Sequence, residues 1–290
     1  MPPRLHSLLA LCALLSGLAC RRGETSVPDP AAAAPPVAST ADGRYWSTGG
    51  RPIAVLVDGI YAYVVHGGGP ARGFVTRNGP DGEVVDTIVD GVLDLRGACF
   101  SGDRLCLADG NGIAYYPLES GGPIDVAAIA GTNGVCSGPA ATVFASTAPS
   151  GQLWRSDIAG LENVVVSVLP KVTSVAYDER GDLLYATASG ASDGVYVLSA
   201  GDPTPRPLPL PAADYTASVV HDGHLYLSRD STSGSLGGVD VVRLSDATLV
   251  TSLAGGPTAG QVGVLGGGLL LVPQPQRRRV AIHRLGRPGD

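Results

Sequence analysis

From about residue 44 onward, the apolar positions fall into short runs bounded by Gly, Asp and Pro, and the runs recur in a fixed order. Each unit has an apolar strand, a Gly/Asp turn, a second strand, a loop, a Gly-led third strand and usually a fourth. The second strands align as "GIYAYV" with Tyr61, "RLCLAD" with Cys106, "TVFAST" with Phe144, "LLYATA" with Tyr185, "HLYLSR" with Tyr226 and "LLLV" near Leu270. The third strands follow in step as "GFVTR", "GIAYY", "GQLWRS", "GVYVLS", "GVDVVRL" and "RVAIHRL". Outer runs such as "EVVDTIV", "PIDVAAIA", "ENVVVSVL" and "ATLVTSL" complete the units.

Four strands repeating at about 40 residues predict an all-β, six-bladed β-propeller with four antiparallel strands per blade. One four-stranded sheet cannot cover both of its own faces. Six sheets stacked around an axis cover one another and leave only short edges exposed. Any one unit would also suit a β-sandwich; six in register favour the ring. The sixth unit has only three strands before the chain ends. "RYWST", Arg44 to Thr48, is a spare strand at the other end and is predicted to complete the last blade. The propeller then spans residues 44–286, with a tail at 287–290.

Composition supports many short strands and turns: 44% apolar, 16% charged, 41 Gly and 23 Pro in 290 residues. The net charge is −6, and Arg277-Arg278-Arg279 is the only basic cluster that stands out. That balance argues against nucleic acid as a partner.

The first residues carry an address. Arg4 supplies a positive start, and Ser7 to Ala19 is an apolar run too short to span a bilayer comfortably but suited to a signal peptide over residues 1–19. The run ends at Cys20. "LLSGLAC" resembles a bacterial lipoprotein signal, in which that cysteine is lipidated and becomes the mature N-terminus. Gly17 departs from the Leu usual at its position. Gly17 and Ala19 also satisfy the small-x-small rule of ordinary secretion. Residues 20–43, rich in Pro and Ala, read as an extended tether behind the anchor. The expected location is the bacterial cell envelope, membrane-anchored through lipid alone and facing periplasm or cell surface; the alternative is a secreted protein.

Four features within the blades suggest chemistry. Arg180-Gly181-Asp182 matches an adhesion tripeptide but falls where other blades have "VDG", "SGD" and "HDG" turns. Gly190-Ala191-Ser192-Asp193-Gly194 fits a nucleophile pattern, yet the segment after it alternates like a strand, whereas a nucleophile elbow needs a helix. The Asp-Gly turn of His221-Asp222-Gly223-His224 places two imidazoles opposite each other, without a third ligand nearby. Cys99 and Cys106 lie on adjoining strands and can form a disulfide in an exported protein; Cys99 and Cys136 occupy matching positions of neighbouring blades, which is also compatible with pairing. The odd count leaves at least one thiol free.

Propeller ligands usually meet the face formed by the loops entering the inner strands, here Arg51, Arg96, Asn133, Lys171, Asp214 and Gln261. Loops joining second and third strands add His66, Asp109, Asn111, Asp193 and Asp230. Repeats of the form "LLYAT…GVYVLS" resemble the loose superfamily of NHL, YVTN and gluconolactonase-type propellers over residues 44–286. That resemblance is one of blade pattern. For a gluconolactonase-type protein it implies calcium held by an early Glu, two central Asn and a late Asp near the axis. Asn133 and Asp214 match two of those parts; "IAVLVD" has no Glu, and Glu83 belongs to an outer strand. No catalytic or metal-binding residue is therefore assigned, and no cofactor is expected. The function expected is a non-catalytic binding or scaffold module for an envelope protein, peptide or glycan. The alternative is a calcium-dependent lactonase-like hydrolase on the same fold.

Overall fold

The structure is a computed structural model that describes residues 37–38, 44–67, 72–119, 121–157, 163–169, 171–189, 194–199, 202–211, 213–231, 237–254, 259–266 and 268–286. The signal segment, Cys20, most of the tether, Gly190 to Asp193 and the tail lie outside the described residues.

Strands β1 (Val37–Ala38) and β2 (Tyr45–Ser47) precede the first blade. Blade 1 is β3 (Pro52–Asp58), β4 (Tyr61–His66), β5 (Gly73–Asn78) and β6 (Val84–Val92). Blade 2 is β7 (Gly97–Ser101), β8 (Arg104–Asp109), β9 (Gly112–Pro117) and β10 (Asp125–Ala127). Blade 3 is β11 (Thr132–Ser137), β12 (Thr142–Thr147), β13 (Gln152–Asp157) and β14 (Asn163–Val168). Blade 4 is β15 (Val172–Asp178), β16 (Leu183–Ala188), β17 (Gly194–Ser199) and β18 (Asp202–Pro207). Blade 5 is β19 (Tyr215–His221), β20 (His224–Arg229), β21 (Gly238–Arg243) and β22 (Thr248–Ala254). Blade 6 is β23 (Gly263–Leu265), β24 (Leu269–Gln274) and β25 (Arg279–Gly286).

Each blade is an antiparallel meander running outward from its first strand. The first strands of blades 1 to 5 are successive neighbours around the axis, and β23 returns to β3. This is the six-bladed β-propeller. Burial follows the stacking of blades, with one apolar cluster at every blade junction. Leu56 and Val65 of blade 1 pack with Leu105 and Leu107 of blade 2. Ile113 meets Val143, Leu153 meets Leu184, Tyr185 meets Leu225 and Val241 meets Leu270. The sixth cluster joins Leu271 and Val280 of blade 6 to Val55 and Val64 of blade 1, with Trp46 among them. Apolar burial at about 25 cal/mol per Å² is what holds such sheets together, since no blade has a core of its own.

The closing strand is where the sequence placed it. β2 pairs antiparallel with β25, with Tyr45 opposite Ala281 and Ser47 opposite Arg279. Val37 and Ala38, which the composition assigns to the tether, also pair with β25, opposite Gly286 and Leu285. The ordered edge of blade 6 therefore begins upstream of residue 44. An edge strand with free N–H groups recruits any extended segment beside it, proline-rich flanks included.

Register corrects one alignment. The positions that match Cys106, Phe144, Tyr185, Tyr226 and Leu270 in their pairing with the inner strand lead to Tyr63 in blade 1, opposite Leu56, and away from Tyr61. Both tyrosines lie on one face of β4, so the period-two pattern could not separate them.

Candidate functional site at the channel mouth

The inner strands of blades 1, 3, 4 and 5 begin with a bulge, and the bulge positions form a ring with the matching residues of blades 2 and 6. Register shifts leave Ile53, Asn133, Thr173 and Thr216 without a cross-strand partner in blades 1, 3, 4 and 5. Arg96 and Gln261 occupy the same place in blades 2 and 6, each three residues before the matched inner-strand position. A bulge turns the extra residue out of the ladder and re-aims its side chain. Here all six side chains line one cavity of about 160 Å³ at the mouth of the axial channel, together with Arg51.

Several of these polar groups are engaged in holding the ring together. Asn133 Nδ2 donates to the Thr173 carbonyl of the next blade at 2.9 Å. Thr173 Oγ1 donates to the Tyr215 carbonyl at 2.8 Å. Thr216 Oγ1 donates to the Ala259 carbonyl at 3.1 Å. The same device thus spans three successive blade junctions. At the closing junction the backbone does this work: Gln261 N donates to the Ile53 carbonyl and Val55 N to the Gln261 carbonyl, both at 2.9 Å. The Gln261 side chain reaches past blade 1, and Nε2 donates to the Ala98 carbonyl of blade 2 at 3.1 Å. Gln261 also lines a second cavity of about 400 Å³ further along the axis, with Phe100, Val219 and His221. Gln261 is thus shared by the two cavities.

The six residues chosen from sequence therefore fall into two tiers. Asn133 is a bulge residue, and Arg96 and Gln261 occupy the matching places in blades 2 and 6. Arg51, Lys171 and Asp214 each stand two residues earlier, and only Arg51 of these lines the mouth. Arg96 is paired with Asp94 at 2.5 Å. Ile53, Thr173 and Thr216 were missed because they look like ordinary strand residues. Their signal is positional: "PIAVLV", "VTSVAY" and "YTASVV" superpose once the second strands are aligned.

The other loop set is largely local. Asp109 Oδ1 accepts from the backbone N–H groups of Asn111 and Gly112, both at 2.8 Å, closing its own turn. Asp230 Oδ1 accepts from Ser231 N. His66 is buried, stacked on Phe74 with ring centroids 4.2 Å apart, and its Nε2 meets Thr76 Oγ1 at 3.3 Å. Burial pushes its pKa down to about 4. Asp193 lies outside the described residues.

The tripeptide and the histidine pair resolve into turns. In the tripeptide, Arg180 pairs with Asp222 of the next blade at 3.2 Å, and Asp182 Oδ1 accepts from Tyr177 OH at 2.7 Å. Gly194 opens β17, while the rest of the nucleophile-like pentapeptide lies outside the described residues. Asp222 and Gly223 both have positive φ, and His221 stands directly opposite His224, as a two-residue primed hairpin requires. Among the described residues no three His, Cys, Asp or Glu side chains gather as a metal site would need. Cys99 and Cys106 face each other across β7 and β8, and both are free thiols in this structure. A hydrogen bond with Cys106 and burial raise the Cys99 pKa well above the usual thiol range. Cys136 is likewise free, and burial raises its pKa.

A gluconolactonase-type calcium site does not fit these residues. Glu83 lies in the turn before β6, and β3 offers no Glu in its place. Asn133 holds the next blade through its amide, and Asp214 does not line the mouth.

No family model matches the chain, and no curated protein matches it. Solved structures do. A gluconolactonase from Xanthomonas campestris has a TM-score of 0.64 at 14% identity, covering 85% of this chain and 99% of its own. The nidogen/laminin complex matches with a TM-score of 0.60 at 14% identity, covering 70% and 79%. The β-propeller domain of Cps50 (Swd1) from Myceliophteria thermophila has a TM-score of 0.59 at 12% identity, covering 83% and 98%. A gluconolactonase and a nidogen/laminin complex stand side by side here. At such identities the likeness is one of fold, and fold does not choose a function.

Proposed function

We propose that this chain is an exported β-propeller, held at a bacterial membrane by lipid on Cys20, that works as a non-catalytic binding or scaffold module in the cell envelope. Its partner is an envelope protein, peptide or glycan met through the propeller surface. The observation that carries the non-catalytic half is the bulge ring. Asn133, Thr173, Thr216 and Gln261, which stand where an axial site would be built, donate hydrogen bonds to backbone carbonyls of other blades. The address rests on the apolar run that ends at Cys20 and the Pro/Ala-rich stretch behind it. Cross-linking and pull-down from native envelopes is expected to recover a defined partner. Hydrolysis of a sugar lactone above background by the purified protein with calcium would overturn the reading. The intact mass of the mature protein tests the anchor, and an unmodified Cys20 would sink it.

A further inference from the structure

The junction of blades 3 and 4 is not filled to its rim. A groove of about 250 Å³ opens there, remote from the axial channel in its lining. Phe144 of β12, Val166 of β14, and Leu184 and Leu198 of blade 4 make an apolar floor. Tyr177 leans on Phe144 with ring centroids 5.4 Å apart and an interplanar angle of 35°. Arg155 of β13 and Asp182, in the turn before β16, also line it. A cavity of about 150 Å³ holds a benzene ring. The groove therefore has room for an apolar side chain plus a short polar head.

Among the described residues, the cation on its rim has no acid to match it. Arg77 in blade 1 occupies the register position of Arg155: each lies opposite the matched second-strand residue, Tyr63 or Phe144. Arg77 has Asp86 as its cross-strand partner on the outer strand and holds it through two hydrogen bonds, at 3.1 and 2.6 Å. Arg155 has Val164 in that place. Its guanidinium, exposed at the groove, has no acidic partner among the described residues. A planar guanidinium in that setting suits a carboxylate, which it can hold through two parallel hydrogen bonds. The other charged lining residue is Asp182: the Tyr177 hydroxyl takes only its Oδ1, so Oδ2 is left to accept a proton donor.

We infer that this groove binds a small zwitterion with an apolar side chain, a free hydrophobic α-amino acid, whose carboxylate meets Arg155, whose ammonium meets Asp182 and whose side chain rests on Phe144 and Tyr177. The inference stands apart from the proposed envelope role, so either can fail alone. The test is calorimetric titration of the purified full-length protein with L-phenylalanine, 3-phenylpropanoate and phenethylamine. L-Phenylalanine is expected to bind saturably with a millimolar Kd or tighter. Each singly charged analogue is expected to bind about tenfold or more weakly, as the loss of one charge-assisted hydrogen bond implies. Arg155→Gln and Asp182→Asn should each cost L-phenylalanine a similar factor, while Arg77→Gln leaves its binding unchanged. Both groove side chains are exposed, so these variants should keep the parent melting curve, which is to be checked alongside. Absence of saturable binding would overturn the inference. Equal binding of either analogue, or indifference to both groove substitutions, would do so too.

Discussion

At the scale of single residues, four positions carry unusual weight. Trp46 is buried at the last junction, and Gly82 of blade 1 lies beneath its ring. A Cβ at Gly82 would come within 2.2 Å of Trp46 Cγ, and its φ of +85° is one that side chains resist. Trp46→Ala is expected to cost about 3–5 kcal/mol in denaturant unfolding, as loss of a large buried aromatic does. Gly82→Ala should also destabilise, and by less when Trp46 is already Ala, because the clash then has no partner. A double-mutant cycle measures that coupling. Asp240, buried in β21, accepts from Ser252 Oγ at 2.6 Å and Tyr215 OH at 3.1 Å and faces Arg229 Nε at 3.0 Å. Asp240→Ala strips the half-buried Arg229 of its carboxylate and is expected to cost roughly 3 kcal/mol. His66 gives the fold a pH dependence. Its folded pKa of about 4 lies below the ordinary 6.5, so the unfolded chain binds the proton first. Its contribution is fully present above pH 6.5 and is lost as pH falls toward 4. The loss amounts to roughly 2–3 kcal/mol over that window. Unfolding free energies across pH should flatten in this range for His66→Phe.

At the scale of elements, the inner-strand bulge is the repeated device, and its polar side chains act as clasps between blades. Replacing Thr173 or Thr216 by Val keeps the shape and removes the hydroxyl donor. Each change is expected to cost about 1 kcal/mol in equilibrium unfolding, with the two nearly additive only if the clasps act independently. Much of this level was legible in the sequence. Period-two runs fixed the strands, and the turn residues fixed the hairpins, down to the opposed histidines of blade 5. The bulges were not legible, since a residue turned out of a ladder is the same residue in the string. For that reason the polar ring was read two residues too early in three blades, and Thr173 and Thr216 were passed over. Arg155 was hidden for a related reason. Its lack of an acid shows only when its register partner is known to be Val164 rather than an aspartate such as Asp86.

At the scale of the whole molecule, the ring closes by a strand from the far end of the chain. A three-strand final unit and a spare strand at Arg44 to Thr48 announced this in the sequence, because a propeller cannot leave one blade short without exposing an edge. The added pairing of Val37 and Ala38 could not be foreseen from a Pro/Ala-rich context. A chain beginning after Thr48 loses β2 and Trp46 together. Scanning calorimetry is expected to show it melting roughly 10 °C lower or more, the shift that the loss of Trp46 alone implies for a domain of this size. Such a closure also has a mechanical side. Tension applied to the residues before Val37 is delivered straight to the hydrogen bonds of β25, and so to the seam between blades 6 and 1. The five other junctions are made within one continuous run of chain and bear no such load. Under force the molecule therefore has a designated place to yield: it opens like an unclasped bracelet, with its links still joined.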